Sequence, residues 1–262
     1  MIALTVCFDA IPKGKRYTLF LELLQTAKGP APMAILLYDL VGRDESRPFS
    51  PHCWKATMAL AHKGLDISTA PTRFLDVPTI EGGASKTVPV IRDGDKVVID
   101  SFAIALYLDE AYPDRPTLFG GDGGKAMARF IERWSQLTIH PYVTTAALID
   151  LHAMQDEENA VYFRRSREQR FGKQLEDVVA ARDAGLAAFR TALEPLRSML
   201  GYQPFIGGAS PLFADYIVFG ALQWARVASP YRLLDDADVV AQWFARCLDL
   251  HGGLGRKVAA AA

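Results

Sequence analysis

The chain has 262 residues, half of them hydrophobic, with 29 basic and 30 acidic side chains and a formal net charge of −1. That length allows one large domain or two modest ones with ample core, and the interspersed charges exclude both a basic nucleic-acid-binding field and an acidic disordered tail. Cys7, Cys53 and Cys247 stand far apart, which excludes a disulfide framework or a thiolate metal site and fits a reducing cytoplasm.

No stretch reaches the roughly 18 apolar residues of a membrane helix. Met1 to Ala10 is apolar, but it lacks a basic flank and Asp9 interrupts it, unlike a signal peptide. Residues 1–33 differ in character from the rest of the chain: Lys13-Gly14-Lys15-Arg16 and Gly29-Pro30-Ala31-Pro32 flank a short amphipathic piece. They are expected to be an N-terminal extension, read as the product of an upstream start codon in preference to a native segment.

Ile35 to Leu40 is a short apolar run that suits a buried strand. A polar loop, Gly42 to Phe49, leads to Ser50, which suits an N-cap, and to Pro51, which at N1 loses no hydrogen bond. The helix should run to Lys63, with Gly64 past its end, and bury Trp54, Met58 and Ala61. Leu65 to Ser68 alternates as a second strand ending before Pro71. After an irregular stretch with Pro78 and Gly82-Gly83, the segments Val88 to Ile91 and Lys96 to Ile99 read as strands about Asp93-Gly94, a hairpin turn. Asp100-Ser101 then caps a helix that Tyr112 and Pro113 end. The first strand connection demands a parallel pair and the last an antiparallel one.

Beyond a linker from Pro113 to Gly124, helical periodicity takes over: Met127 to Ala147, Asn159 to Phe171, Leu175 to Leu200, Phe213 to Ala228 and Val239 to Leu250. The expected fold is α+β: a thioredoxin-like βαβ-ββα domain over 34–115, then an all-α helical bundle domain over 124–256.

Ser50-Pro51-His52-Cys53 has the shape of a dithiol redox motif with serine in place of the reactive first cysteine. A hydroxyl cannot exchange disulfides, but at a helix N-terminus it can donate to a ligand's thiolate, which the local dipole also favours. By local chemistry alone Ser50 is a cap, Cys53 a small buried hydrophobe, and His52 either a lining or a surface residue. Val88-Pro89 and Asp100-Ser101 are likewise ordinary in isolation, a strand start and an N-cap pair.

Together, and in this order and spacing, Ser50 after the first strand, Val88-Pro89 opening the third and Asp100-Ser101 after the fourth resemble the cytosolic glutathione transferase superfamily. The resemblance covers about residues 34–256. Leu60-Ala61-His62-Lys63-Gly64, Tyr107 to Pro116, Ser166-Arg167-Glu168-Gln169, Phe213-Ala214-Asp215-Tyr216 and Leu250 to Arg256 are similar, more narrowly, to the bacterial β-etherases and their fungal relatives.

The resemblance implies glutathione as cosubstrate and Ser50 as the group that stabilises its thiolate. Lowering a thiol pKa from near 8.5 by two units takes about 2.7 kcal/mol, within reach of one charged hydrogen bond plus a helix end. It implies that Val88, before a cis Pro89, pairs its main chain with the cysteinyl part. Asp100 would take the ammonium group and Ser101 the carboxylate of the γ-glutamyl end, with Lys86 and Thr87 near the glycyl end. A hydrophobic aromatic molecule would occupy a cleft between domains, with His52, Trp134, Leu137, Pro141, Tyr142 and Arg167 as candidate lining residues. The reaction implied is attack by the thiolate on an electrophilic carbon alpha to a ketone, expelling an aryloxide from a lignin-like β-aryl ether. A general detoxifying transferase and a non-catalytic binder of aromatic ligands are the alternatives; serine at 50 disfavours a glutaredoxin-type oxidoreductase. A homodimer is the family expectation, and no metal, nucleic acid or membrane is implied. One departure stands out: the family carries Ser or Thr three residues before Asp215 to form a capping box, and here that position is Leu212.

Overall fold

The computed structural model describes residues 34–262, and the expected extension over 1–33 lies outside them. Strand β1 (Ile35–Leu40) is followed by helix α1 (Pro51–His62), β2 (Ile67–Thr72), a 3₁₀ segment (Val77–Gly82), β3 (Val90–Asp93), β4 (Lys96–Ile99) and α2 (Ser101–Ala111). The four strands lie in the order β2-β1-β3-β4. The β1–β2 pair is parallel, with Ile35 opposite Ile67, and the β1–β3 and β3–β4 pairs are antiparallel, as the connection lengths require. Strand β2 continues through Pro71 to Thr72, beyond its expected end. It is an edge strand, and there a missing N–H costs no ladder bond when it faces outward.

From Asp122 the chain is helical: α3 (Asp122–Ala146), α4 (Leu148–Ala153), α5 (Glu157–Phe171), α6 (Leu175–Val179), α7 (Arg182–Ala192), α8 (Glu194–Leu200), α9 (Phe213–Ala228) and α10 (Val239–Lys257). Helix α3 starts earlier than periodicity suggests and takes in Gly123-Gly124, while α4 has no counterpart among the expected helices. The expected single helix over 175–200 is three. Pro195 at the start of α8 explains the second break, because its ring cannot follow another helical turn; no breaker residue marks the first. The main helical run of α10 ends just before Leu250, whose ψ of 153° is no longer helical, one residue short of the expected end. A joint follows, with His251, Gly252 and Gly253 at φ of 52°, 72° and 76°, before a last turn to Lys257. No helix among the described residues is long and apolar enough to cross a membrane.

Helix α9 is buried around nearly its whole circumference, the mark of a central helix, and it packs on both α1 and α3. Gly220 makes the α1 contact possible: a Cβ there would sit 2.3 Å from the main-chain oxygen of Pro51. Polar ties reinforce the junction. Lys55 of α1, wholly buried, reaches Glu132 of α3 at 3.3 Å. Farther along α1, His62 bonds Thr117 O through Nε2 (3.0 Å) and the Tyr216 hydroxyl through Nδ1 (2.7 Å). That hydroxyl also meets His251 Nε2 at 3.0 Å. A neutral His62 with its proton on Nε2 satisfies the series: Tyr216 donates to Nδ1 and accepts from His251. Burial pushes both imidazole pKa values down, that of His251 to about 4.

Asp215, at N3 of α9, is completely buried. It accepts from the amides of Ile206 (2.7 Å), Gly207 (2.8 Å) and Leu212 (3.0 Å) and from Trp243 Nε1 (2.9 Å). Leu212 has no side-chain acceptor, so the Asp215 amide turns to the Leu212 main-chain oxygen at 2.9 Å, and half of the capping box survives. Burial pushes this carboxyl's pKa up, while its four donors favour the ionised form. Asp215→Ala strands those donors in the core. It should cost about 3–5 kcal/mol, read as a lower urea midpoint at unchanged m-value; a loss below about 1 kcal/mol would show that water replaces the carboxylate.

Candidate functional site

The site begins where β1 gives way to α1. The Phe49 amide donates to Leu40 O at 3.1 Å, which returns the loop to the end of β1. Trp54 Nε1 donates to Pro48 O at 3.0 Å and anchors the loop to the helix. Ser50 is the N-cap, with extended backbone, and its Oγ accepts from the Cys53 amide at 3.2 Å. That bond uses an oxygen lone pair and leaves the hydroxyl proton for another acceptor. Pro51 at N1 has no N–H to satisfy, and the His52 amide at N2 has no intrahelical partner by construction.

Beneath Ser50 lies a buried acid–thiol pair. Cys53 is fully buried, its Sγ 3.7 Å from Tyr38 O, with the Ser50 hydroxyl and the Asp39 carboxyl beside it. Burial first, then the neighbouring Asp39 charge, push the thiol pKa well up, so Cys53 is the inert core residue that the sequence suggests. Asp39 is buried too, with one carboxyl oxygen lacking a partner among the described residues, and burial pushes its pKa up to about 7. Nothing in the sequence distinguishes Asp39 beyond its membership of an apolar run.

A second wall comes from the approach to β3. Lys86, Thr87 and Val88 line the same cavity as Ser50, Pro51 and His52, and the Val88–Pro89 peptide bond is cis. The Thr87 amide donates to Ser85 Oγ at 3.0 Å, and that hydroxyl donates to Thr87 O at 2.7 Å, which fixes the turn. Val88 precedes the first rung of the ladder at Val90. Because Val90 pairs with Ile99, the hairpin register sets Asp100 beside Pro89. Asp100 holds φ at 77° as the N-cap of α2, and its Oδ1 accepts from the amides of Phe102 and Ala103, each at 2.9 Å. Ser101 is buried behind it. Neither residue lines the cavity.

The cavity has a volume of about 530 Å³. Its far wall is helical, with His140 and Thr144 from α3, Tyr162, Phe163, Arg167 and Arg170 from α5, and Trp224 from α9; Phe74 contributes from the other side. His52 stacks on His140 with ring centroids 5.2 Å apart. Burial pushes both pKa values down, that of His140 to about 4, so both rings are neutral near pH 7. Arg167 lies over Phe163, 4.7 Å from its centroid, and 5.6 Å from that of Phe74.

Among the expected second-substrate residues, His52 and Arg167 therefore meet in the cavity, and Trp134 and Tyr142 do not line it. Tyr142 is turned into the bundle: it stacks on Phe189 at 4.5 Å and donates to Arg182 O at 2.7 Å. Trp134 belongs to a stripe of α3 with Met127, Phe130 and Leu137, of which Phe130 and Leu137 are 66% and 62% exposed. Pro141 lies inside α3. His140 and Trp224 are not among the residues that the sequence singles out. The spacing of Phe163, Arg167 and Arg170, one face of a helix, is the signal that could have marked the α5 wall.

Comparison with known proteins matches a family model described as the glutathione S-transferase N-terminal domain to residues 46–116, and one described as the C-terminal domain to residues 126–249. The glutathione S-transferase-like protein ustS of Aspergillus flavus is 27% identical over 210 residues, 69% of this chain and 75% of that protein. Glutathione S-transferase Z1 of Arabidopsis thaliana is 44% identical over 69 residues, 24% of this chain and 31% of that protein. Among solved structures, glutathione transferase GSTFuA3 of Phanerochaete chrysosporium superposes with a TM-score of 0.62 at 26% identity, over 87% of this chain and 95% of that one. The glutathione S-transferase CsGST63524 of Ceriporiopsis subvermispora, solved in complex with glutathione, gives a TM-score of 0.71 at 24% identity, over 83% and 96%.

The raised pKa of Asp39 sets a pH dependence. Folded chains hold this proton up to about pH 7, whereas unfolded chains release it near pH 4. The stability linked to it is thus full below about pH 4 and is lost as pH rises through about 7. Asp39→Asn removes the term, so the variant should gain about 2–4 kcal/mol on the wild type between pH 4 and pH 8. Urea unfolding of both proteins across that range is the measurement, and a constant difference would show that Asp39 is ionised throughout.

Proposed function

The chain belongs to the glutathione S-transferase family, and on that premise we propose that it is a serine-type transferase that cleaves β-aryl ethers of aromatic ketones. The observation that carries this reading is Ser50. It caps α1 at the cavity, its Oγ is polarised by the Cys53 amide, and its proton is free to hold glutathione's sulfur as the thiolate. Of the remaining assignments, Val88, Lys86 and Thr87 line the cavity, and Asp100 and Ser101 lie outside its lining. Val88 offers main-chain groups that the ladder does not use. Lys86 and Thr87 receive the glycyl end, and Asp100 and Ser101 the γ-glutamyl end, beside the Pro89 turn.

In the proposed step the thiolate sulfur forms a bond to the carbon alpha to the ketone. The C–O bond to the aryl ring breaks, and its electron pair leaves on the aryloxide, which water protonates. The adjacent carbonyl activates the carbon, and holding both reactants in one cavity supplies the effective concentration. The electrophile occupies the aromatic wall formed by Phe74, Tyr162, Phe163 and Trp224, and neutral His52 and His140 add no charge near the sulfur.

A homodimer is part of the same proposal. Met127, Phe130, Trp134 and Leu137 recur at the three- and four-residue spacing of one helix face, and the exposure of Phe130 and Leu137 leaves an apolar strip that a second copy would cover.

Ser50→Ala should lower kcat/KM for glutathione conjugation by about 10²-fold and raise the pKa of the bound thiol by about two units, followed by thiolate absorbance against pH. Unchanged values of both would remove Ser50 from the chemistry. Release of the phenol from an α-aryloxyacetophenone should require glutathione; no release, with model electrophiles still conjugated, would leave a general transferase. Phe130→Glu with Leu137→Glu should convert dimers to monomers in sedimentation velocity, and a wild type that sediments as a monomer would end the dimer proposal.

A further inference from the structure

The cavity is lined by cations and by no acid. Lys86, Arg167 and Arg170 are its charged residues, and no Asp or Glu of the described residues lines it. The two arginines lie on the α5 wall, and Lys86 lies on the turn before β3. Their state contrasts with that of Arg164 on the same helix. Arg164 takes Glu168 at 2.9 Å and Glu176 at 2.8 Å. Among the described residues neither Arg167 nor Arg170 has an ion-pair partner.

Arg167 is nonetheless held in place. Its Nη1 donates to Ser166 Oγ at 3.0 Å, and Ser166 Oγ donates to Phe163 O at 3.0 Å. Its guanidinium lies over the rings of Phe163 and Phe74. Burial, with Arg170 also acting against it, pushes its pKa down, a direction that a bound anion would reverse. A planar, half-buried guanidinium fixed by rings and lacking a carboxylate matches the two-oxygen fork of a carboxylate. The rings beside it supply a surface for the aromatic body that carries that group.

From this arrangement we infer that the electrophilic substrate is an aromatic carboxylate, anchored by Arg167 with Arg170 beside it, while its reactive carbon faces Ser50. The inference rests on the reading of the cavity as the second-substrate site of the transferase. It adds the ionic class of substrate that the site selects.

The test compares 4-(chloromethyl)benzoate with the neutral isostere 4-(chloromethyl)benzamide. In both, the glutathione thiolate forms a C–S bond at the benzylic carbon and chloride leaves with the C–Cl electron pair. The wild type should favour the benzoate in kcat/KM by about tenfold or more, as for a charge-assisted bidentate contact, and the preference should shrink with added salt. Arg167→Gln should reduce benzoate turnover to near the benzamide level, change the benzamide by less than about threefold, and leave KM for glutathione unchanged. Arg167→Lys, which keeps the charge without the fork, should fall between. Equal turnover of the two probes by the wild type overturns the inference. So does a rise in glutathione KM in Arg167→Gln that lowers both probes alike, because the cation would then serve glutathione. Binding of biphenyl-4-carboxylate against biphenyl-4-carboxamide, followed by tryptophan quenching through Trp224, decides the question independently of turnover. Tight carboxylate binding with neither chloromethyl probe consumed would sink the transferase reading, and with it the electrophile, leaving Arg167 as a carboxylate-binding residue only; equal binding of the two biphenyls would sink the carboxylate site itself.

Discussion

Gly220 rests on the carbonyl of Pro51 with no space for a methyl group between them, and the rest of the site depends on that approach. Pro51 is the first helical residue after Ser50, so the contact fixes the start of α1 from above, as the return of Phe49 to Leu40 fixes it from below. A residue one carbon larger at 220 would have to push α9 away from α1 or tilt the first turn, and interiors packed at crystal density give little room for either. Because α9 also packs on α3, the same approach sets how far the wall bearing His140 and Trp224 stands from the serine. The distance between the two halves of the cavity is thus decided by the absence of a side chain.

Much of the first wall is legible in the sequence because it is local. A cap, a proline turn and a tight hairpin are each written within a few residues, and Ser50 and Val88-Pro89 appear where those signals place them, while Asp100-Ser101 caps its helix without lining the cavity. The far wall is not legible. Whether Tyr142 or His140 faces the cavity depends on the rotation of α3 about its axis, which the packing of α9 and α7 sets and periodicity alone does not. Tyr142 is large, aromatic and close in sequence, yet its hydroxyl is spent on Arg182 O and its ring on Phe189. Asp39 escapes a reading of the sequence for the opposite reason. A carboxyl in an apolar run looks like a solvent-facing alternation, whereas here it is buried beside Cys53 and its pKa is pushed up to about 7.

The charge pattern has one consistent feature. Apart from Asp39, carboxylates in and near the core are committed to structural partners: Asp215 to four N–H groups, Asp109 to Lys63 at 2.8 Å, Glu132 to Lys55, and Asp93 to the hydroxyls of Tyr107 and Tyr112. The ties that join α1 to the bundle draw on the same set. What remains facing the cavity is aromatic and aliphatic surface, hydroxyl, neutral imidazole and cation. A field of that sign favours negative charge, that of the glutathione sulfur in the proposed reaction included.

The two cysteines among the described residues complete this picture. Cys53 and Cys247 are both fully buried, and burial pushes both thiol pKa values up. A catalyst that gathers carbon electrophiles beside its own helix risks being alkylated by them, turnover by turnover. Here Cys53 stays protonated and sealed one turn below the serine. In the proposed reaction the sulfur that meets the electrophile is glutathione's, which leaves with the product, and neither cysteine of the described residues competes with it.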